Sequence, residues 1–355
     1  MSAYDKLSIY VPSSIKTRLE EDARLFEIFK ANSRDVNLNL FLGNVLLGYY
    51  QQYDNETQKE VQRISSILRG KVKTTTIERD GKKETRSTVV EEIQSLAQQI
   101  VQSSNRFQET STGKKTERLS LKPTNTTWPV IQDVLSANTD DSISNSFVSI
   151  FESFLRQPSY IREQIIHKNN YETLQRAIEK HQTIAFTHTK TRDEIHTVYP
   201  YLITTSPEEL FNYLLCAEMC ADGTLEARSI RLCRIAYFHT TRTDIHLPSN
   251  IKGYLDNMAK YGPAFEINDD EECCVFLTED GHRAYSMIYY QRPLYSDITP
   301  ADGGYIYHFK CSKEHVERYF RRFDAGQAVI LKPDSLRNRV ITHHKGILKK
   351  YGEME

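Results

Sequence analysis

Long apolar runs, an excess of charge of either sign and cysteines at metal-binding spacing are all missing from this sequence of 355 residues. A transmembrane helix needs about twenty mostly apolar residues in a row, so we expect no membrane partner. The 46 lysines and arginines nearly balance 47 aspartates and glutamates. Any affinity for nucleic acid therefore has to come from a local basic patch. The first residues, MSAYDKLSIY, lack a basic-then-apolar signal, which favours a cytoplasmic location.

The cysteine pattern and the missing catalytic motifs narrow the chemistry. None of the six cysteines stands in a C-x-x-C pair, and Cys216 and Cys220 fall in a predicted strand. We interpret all six as reduced, mostly buried thiols and predict no metal site and no cofactor. Phosphate-loop, zinc-protease and nucleophile-elbow motifs do not occur. We therefore expect a binding protein without catalytic residues.

The first segment, residues 1–54, begins with a period of two and continues with helical spacing. Leu7, Ile9 and Val11 predict one face of a strand, and apolar stripes predict two helices after it. The opposite face of the strand carries Lys6, Ser8 and Tyr10. This order resembles the ribbon-helix-helix family, in which two chains pair their single strands. A lone strand with two helices cannot bury its own core, so the resemblance implies a homodimer. Its outward ribbon face contacts nucleic acid, or the unit serves only for dimerisation.

Residues 55–141 are predicted to form a polar connector. A helix at 57–68 leads to two Thr/Val-rich runs around Asp80-Gly81, which is a hairpin signal. The basic residues of this hairpin are either a phosphate-contacting arm or a solvated surface. A further helix is predicted at 89–102. The stretch 103–127 is rich in Ser, Thr and Lys and is predicted to be a loop.

Residues 142–247 are predicted to contain helices followed by a small antiparallel barrel. Four β-rich runs lie between Thr183 and Ile235, separated by polar or proline-containing turns. They end in Arg228, Arg231 and Arg234. On a regular strand this spacing places Arg231 on the face opposite the other two. Guanidinium groups bind phosphates in a bidentate manner, so one or more of the three is predicted to bind an anion. For Arg231 and Arg234 the alternative is an internal ion pair.

The last segment, residues 248–355, is predicted to be an α/β extension. Its expected elements are a strand at 273–278, a helix at 282–290, a strand at 305–311, a helix at 312–323, a strand at 328–331 and a last helix that begins at Pro333. The expected fold class is therefore α+β and multidomain, divided into 1–54, 55–141, 142–247 and 248–355.

The predicted barrel resembles the WYL-domain family, whose barrel is Sm-like. The family's Trp-Tyr-Leu run is here Asn212-Tyr213-Leu214, its proline on the second strand is Pro200, and its signature R-x-F-R-x-x-R-I spans 228–235. In the family the tyrosine and the arginines line a pocket for nucleic acid or nucleotide-like ligands. The resemblance implies binding through Tyr213, Arg228, Arg231 and Arg234. Four further candidates lie on or between the first two strands: His188, Arg192, His196 and Tyr199.

A narrower resemblance comes from the combination of segments. A ribbon-helix-helix start joined to this barrel, followed by FLTEDGHRAYSMIYYQRPLY, is similar to the WYL accessory proteins of type VI-D CRISPR systems. Those proteins bind single-stranded RNA and stimulate an RNA-guided RNase. The resemblance implies single-stranded RNA (or DNA), a second copy of the chain and such an RNase as partners. The alternative is a ligand-sensing transcription regulator whose ribbon reads duplex DNA.

Overall fold

The computed structural model describes residues 5–71, 78–79, 82–83, 87–105, 116–136, 143–189, 194–206, 210–241 and 247–353. The chain forms two compact units, residues 1–167 and 168–355. Each unit has apolar clusters of its own. The mixture of helices and antiparallel sheets agrees with the expected α+β class.

The first unit contains a strand followed by helices, twice in succession. Its elements are β1 (Leu7–Pro12), α1 (Ser13–Leu25), α2 (Leu38–Lys71), β2 (Glu78–Arg79), β3 (Lys82–Lys83), α3 (Ser87–Asn105), β4 (Thr116–Leu121), α4 (Trp128–Ser136), α5 (Ile143–Arg156) and α6 (Ser159–Ile166). The short strands β2 and β3 pair around the predicted Asp80-Gly81 turn, which itself lies outside the described residues.

The strand β1 pairs with β4 of the same chain in an antiparallel ladder that runs from Leu7 opposite Leu121 to Pro12 opposite Thr116. Two expectations are corrected by this pairing. Part of the predicted loop at 103–127 is a strand, because Leu119 and Leu121 alternate with polar residues and complete the apolar face of β1. β1 also does not need a strand from a second chain, since β4 of the same chain is its partner.

The helix α2 joins two segments that were predicted as separate helices. The Asn37 side chain caps its start by accepting a hydrogen bond from the Leu40 amide at 3.1 Å. Residues 51–57 contain neither glycine nor proline, so the helix continues from the predicted end at Tyr50 to Lys71. Within the described ranges no helix, α2 included, has the length and apolar character needed to cross a membrane.

The helices α5 and α6 belong to the first unit, whereas the predicted division at residue 142 grouped them with the barrel. Phe154 of α5 is fully buried in the same apolar cluster as Ile9 of β1. The guanidinium of Arg162 on α6 binds the Asp22 carboxylate of α1 through two hydrogen bonds of 2.7 and 2.9 Å. These contacts place α5 against β1 and α6 against α1.

The second unit contains two antiparallel sheets with helices packed on them. Its elements are α7 (Lys168–Glu179), β5 (Thr183–His188), β6 (Ile195–Thr205), β7 (Asn212–Met219), β8 (Leu225–Arg231), a 3-10 turn (Leu232–Arg234), β9 (Ile235–Thr241), α8 (Ser249–Tyr261), β10 (Cys273–Thr278), α9 (Glu279–Met287), β11 (Asp297–Ala301), β12 (Gly304–Phe309), α10 (Lys313–Phe320), β13 (Ala328–Lys332) and α11 (Asp334–Lys350).

The larger sheet of the second unit has the strand order β8-β7-β6-β5-β9. Among the described residues β8 and β9 are its two edges, so hydrogen bonding does not close the predicted barrel. The 3-10 turn at Leu232–Arg234 accounts for this order, because it ends β8 and the chain then pairs β9 with β5. A register shift next to Pro200 bends β6, as expected where a proline cannot donate to the ladder.

The two faces of the larger sheet are buried by different helices. Leu214 and Cys216 of β7 lie in an apolar cluster with residues of α7, whereas Leu215 and Ala217 lie in a second cluster with residues of α8. This alternation follows from the period of two along a strand. The smaller sheet, in the order β11-β12-β10-β13, packs against α9, α10 and α11 through a separate apolar cluster.

Gly48 has no side chain, and this lets α2 and α6 approach each other closely. A Cβ at this position would lie 2.9 Å from Cγ2 of Ile165 and closer still to the Ile165 carbonyl oxygen. We expect Gly48→Ala to destabilise the first unit by about 1–3 kcal/mol, the usual result of overpacking. Denaturant unfolding followed by circular dichroism measures the change.

The matched control is Gly70→Ala, on the same helix. A Cβ at Gly70 would meet no atom within 4 Å, so this variant gains helix propensity and is expected to be up to about 1 kcal/mol more stable. Equal effects of the two substitutions would show that α2 and α6 are not closely packed at Gly48.

Candidate nucleic-acid interface

The three arginines of the predicted signature occupy three different environments. Arg228 lies within β8, opposite Cys216, and Arg231 ends the strand, opposite Tyr213. Their odd spacing places them on opposite faces of the sheet, as the sequence predicted. Arg234 is exposed and lies in the 3-10 turn, so strand alternation does not extend to it.

Arg228 is surrounded by carboxylates. Its Nε lies 2.7 Å from Oε2 of Glu218, its Nη2 2.9 Å from Glu226 and its Nη1 3.2 Å from Glu266. The other oxygen of Glu266 accepts a hydrogen bond from the Ser229 amide at 3.1 Å. One guanidinium among three carboxylates is a structural ion pair that fixes the edge strand β8. The prediction that Arg228 contacts an anionic ligand therefore finds no support in this geometry.

Glu218 is the centre of this polar cluster. Burial alone raises the pKa of its carboxyl, but hydrogen bonds from His196 and Arg228 outweigh burial, so the pKa is lowered from its ordinary value of 4.5. The His196 Nδ1 lies 2.6 Å from Oε1 of Glu218. His196 is thus committed to this cluster, on the face of the sheet that also carries Arg228.

His188 lies beside the same cluster. Its ring centroid is 4.8 Å from that of His196, and both rings are 5.4 Å from Phe186. Burial, and then the neighbouring His196, lower the pKa of His188 below its ordinary value of 6.5. The imidazole is therefore neutral at neutral pH and offers no positive charge to a phosphate. The positive charge of Arg234 also lowers the pKa of His188, so the two side chains are near each other.

A different grouping forms around Arg231. Its guanidinium carbon lies 3.4 Å from the centroid of the Phe211 ring. Tyr213 is the direct cross-strand partner of Arg231, and Thr204 is the partner of Tyr213 on β6. All four residues are partly exposed. A cation stacked on an aromatic ring, beside a tyrosine on the same face, combines a phosphate-binding fork with a surface on which a base can stack.

Sequence reasoning missed Phe211, which holds the guanidinium of Arg231 in place. The available signal was its position directly before the Asn212-Tyr213-Leu214 run. In an antiparallel pair the start of one strand lies beside the end of the next, so a residue before β7 lies near the end of β8. Its contact with Arg231 depends on the β7–β8 register, which the sequence does not display.

The remaining candidates of the second unit lie elsewhere. Tyr199 is the cross-strand partner of Ala217, and its hydroxyl lies 3.2 Å from Nδ1 of His181. Ala217 is four residues from Tyr213 along β7, so Tyr199 lies roughly 13 Å from Tyr213. Arg192 lies outside the described residues. The structure therefore brings together Arg231 and Tyr213, and separately His188 and His196 with Arg228, but not the whole predicted set.

The ribbon candidates of the first unit face outward. Lys6 is exposed, Ser8 is half-buried and the Tyr10 side chain is 56% exposed. Pairing with β4 adds Arg118 opposite Tyr10 and Ser120 opposite Ser8. Arg118 is exposed and was missed, because its segment was predicted to be a loop. This face of the two-stranded ribbon therefore carries two cations, Lys6 and Arg118, and two serines, Ser8 and Ser120.

Comparison with known proteins gives a match in structure and none in sequence. No protein-family model and no curated protein matches the chain. The fold is similar to the crystal structure of a CRISPR Cas-related protein, with a TM-score of 0.65 and 17% identity over 98% of this chain and 94% of that chain. Proteasome accessory factor B/C (PafBC) of Arthrobacter aurescens gives a TM-score of 0.26 at 16% identity, over 64% of this chain and 35% of that chain. The first comparison shows a shared fold, and the second is too weak to support one.

The ion-pair role of Arg228 can be tested by a double-mutant cycle with Glu218. Arg228→Met leaves the carboxylates without their guanidinium and is expected to lower the free energy of unfolding by about 1–2 kcal/mol, moderated by partial exposure of the cluster. Glu218→Gln removes one of the repelling charges, so the double variant should be more stable than additivity predicts. Urea unfolding at neutral pH measures the coupling.

The same cycle has a defined pH dependence. Because the pKa of Glu218 is lowered on folding, the contribution of the pair is complete above pH 4.5 and is lost as the pH falls through the lowered value. The difference between the wild-type protein and Arg228→Met should therefore shrink on acidification. Strict additivity at all pH values would exclude the ion pair as a stabilising contact.

Proposed function

We propose that the protein is a non-catalytic accessory protein of a CRISPR system that binds single-stranded RNA through the second unit. The observation that carries the proposal is the Arg231–Phe211–Tyr213 grouping, which offers one phosphate fork and aromatic surfaces at neighbouring positions. The fold shared with a CRISPR Cas-related protein across almost the whole chain supports the biological setting. The second unit is the WYL-like part of this proposal, and the RNA-guided RNase of a type VI-D system is the proposed protein partner.

The chemistry of this grouping favours single strands without strong sequence preference. Stacking of a base on an aromatic or guanidinium plane contributes about 1–3 kcal/mol and accepts every base. The contact with Phe211 restricts the Arg231 side chain, so less conformational entropy is lost when it binds a phosphate. The carboxylates around Arg228 repel a phosphate backbone on the opposite face of the sheet. The RNA is therefore proposed to bind at the partly exposed end of the other face, where Phe211, Tyr213 and Arg231 lie.

Variants of Arg231 test this proposal by fluorescence polarisation with a labelled single-stranded RNA at several salt concentrations. Arg231→Ala is expected to weaken binding and to reduce the slope of log affinity against log salt by about 0.7, the value for one phosphate contact on a single strand. Arg231→Lys keeps the charge but loses the planar fork, so the slope should stay while affinity falls several-fold.

Arg176→Ala is the control, because it removes the same charge from an exposed position on α7 of the same unit. It should leave both affinity and slope close to those of the wild-type protein. If Arg231→Ala behaves like this control while circular dichroism shows an intact fold, the grouping is not the RNA site.

The second candidate function is recognition of duplex DNA by the β1–β4 ribbon. We propose that the two successive strand–helix–helix segments, β1-α1-α2 and β4-α4-α5, form a ribbon-helix-helix arrangement within one chain. The observation that favours this reading is the outward pair Tyr10–Arg118 on a two-stranded ribbon, a form that enters the major groove in known β-ribbon readers. A duplex in the same polarisation assay separates the two functions. Arg118→Ala should impair duplex binding alone if the ribbon is the reader.

We further propose that the protein is a homodimer formed through the second unit. Since β1 is already paired within the chain, the support for a dimer comes from the end of α11. Ile347 and Leu348, and Tyr351 directly after the helix, are 39%, 43% and 79% exposed. Clustered apolar side chains at this level of exposure are typical of an association surface. Such a surface on a single helix fits an isologous contact with the same helix of a second copy.

Light scattering coupled to size exclusion tests the dimer. Leu348→Asp places a charge in the proposed contact and should shift the mass from dimer to monomer. Thr342→Asp, at an exposed position on the opposite side of α11, should leave the mass unchanged. A monomeric wild-type protein at micromolar concentration, or equal behaviour of the two variants, would contradict this interface.

A further inference from the structure

A cluster of three potential metal ligands lies on the smaller sheet of the second unit. Cys274 on β10 and His308 on β12 are direct cross-strand partners, and Glu272 precedes β10 by one residue. Each offers one ligand atom, and the three atoms lie within 4.8 Å of one another. Among the described residues, this is the one group of three Cys, His and carboxylate side chains that could hold a metal ion.

The sulfur–nitrogen distance within the cluster matches a tetrahedral metal site. Sγ of Cys274 lies 3.6 Å from Nδ1 of His308, and that nitrogen lies 3.1 Å from Oε2 of Glu272. A tetrahedral zinc ion with a Zn–S bond of about 2.3 Å and a Zn–N bond of about 2.0 Å separates sulfur from nitrogen by about 3.5 Å. The two protein ligands on the sheet are thus already spaced for a common ion, and the carboxylate oxygen lies within 4.8 Å of both ligand atoms.

Neighbouring side chains hold these ligands in orientation. Oγ1 of Thr299 lies 3.5 Å from Nε2 of His308. The tautomer that carries its proton on Nε2 would direct that proton at Thr299 and its Nδ1 lone pair at the cluster. The Ser296 hydroxyl lies 3.1 Å from the His308 carbonyl oxygen and 3.3 Å from Oε1 of Glu272, so it is within donating distance of Oε1, while Oε2 is the oxygen that faces His308. Partners that orient a metal-bound histidine or carboxylate in this way are typical of protein metal sites.

The cluster is also accessible and has a suitable charge. The side chains of His308 and Glu272 are 24% and 37% exposed, and Cys274 is half-buried. A thiolate and a carboxylate together neutralise a divalent cation. Lys332 is the register partner of Cys274 on β13, and its side chain is exposed. Its positive charge would compete with a bound ion for the thiolate.

We propose that Glu272, Cys274 and His308 bind a divalent transition-metal ion, with zinc as the preferred ion and a water molecule in the fourth position. Sulfur, imidazole and carboxylate are the donors that zinc accepts in tetrahedral sites. Magnesium and calcium bind oxygen donors, so a site with a thiolate and an imidazole disfavours them. The ion would link the segment before β10 to β12 and stabilise the smaller sheet. This site is separate from the residues of the proposed RNA interface.

The proposal revises the sequence-based expectation of no metal site. That expectation depended on spacing along the chain, and Cys274 and His308 are 34 positions apart. Their proximity comes from the antiparallel register of β10 and β12, which no local motif reveals. The neighbouring Cys273 points to the other side of the sheet, where it is fully buried in the apolar cluster.

Cobalt substitution tests the site in the full-length protein after removal of any affinity tag. Titration with Co²⁺ should produce a thiolate-to-cobalt charge-transfer band together with visible d–d bands of tetrahedral intensity, saturating at one ion per chain. Added Zn²⁺ should remove both. Cys274→Ser should abolish the charge-transfer band, and Glu272→Gln, which keeps the side-chain size, should weaken Co²⁺ affinity by about 10–100-fold.

Cys220→Ser is the matched control, because it removes a partly exposed thiol that lies outside the cluster. His343→Asn controls for binding at the exposed His343–His344 pair. Both variants should keep the full spectrum and the one-to-one stoichiometry. Absence of a saturable spectrum in the wild-type protein, or its survival in Cys274→Ser, would overturn the proposal. Zn²⁺ should also raise the Tm of the wild-type protein and leave that of a correctly folded Cys274→Ser variant unchanged.

Discussion

The antiparallel pairing of β1 with β4 is the constraint on which the first unit depends. Each strand has one apolar face and is followed by helices with apolar stripes, and neither strand–helix–helix segment can bury these surfaces alone. Pairing satisfies the backbone of both strands and brings α1, α2, α4 and α5 onto one core. The entropy of closing a loop of this length grows only slowly with the number of residues between the strands. The long and polar intervening chain is therefore compatible with a stable unit.

The larger sheet of the second unit separates two kinds of chemistry by the alternation of its strands. One face carries Arg228 with its carboxylates, where charges are mutually satisfied and fasten the edge strand. The other face carries Arg231, whose planar group lies against an aromatic ring. The same residue type thus forms ion pairs on one face and stacks on an aromatic ring on the other. The difference comes from neighbours on adjacent strands rather than from the arginines themselves.

Element types could be predicted from the sequence wherever an apolar period was continuous. The strand at 273–278 and the last helix after Pro333 were located closely. β4 was missed because two leucines in a Ser/Thr/Lys-rich stretch give too weak a signal until β1 supplies the opposite half of the apolar face. Of the candidate site, Tyr213 and Arg231 were predicted and do lie together, whereas Phe211 was missed. The His196 and Arg228 side chains were predicted as ligand contacts, and in the structure both are bound by Glu218.

The sequence by itself determined the α+β class, most strands and helices, and the opposite orientation of Arg228 and Arg231, because these follow from local periodicity. The tertiary structure decided which strands pair, whether β1 needs a second chain, and which side chains share a site. Register between strands controls all three, and register depends on burial and on turns at distant positions. The Glu272–Cys274–His308 cluster is the clearest case, since the polar atoms of these three residues come within 4.8 Å of one another only when β10 and β12 align.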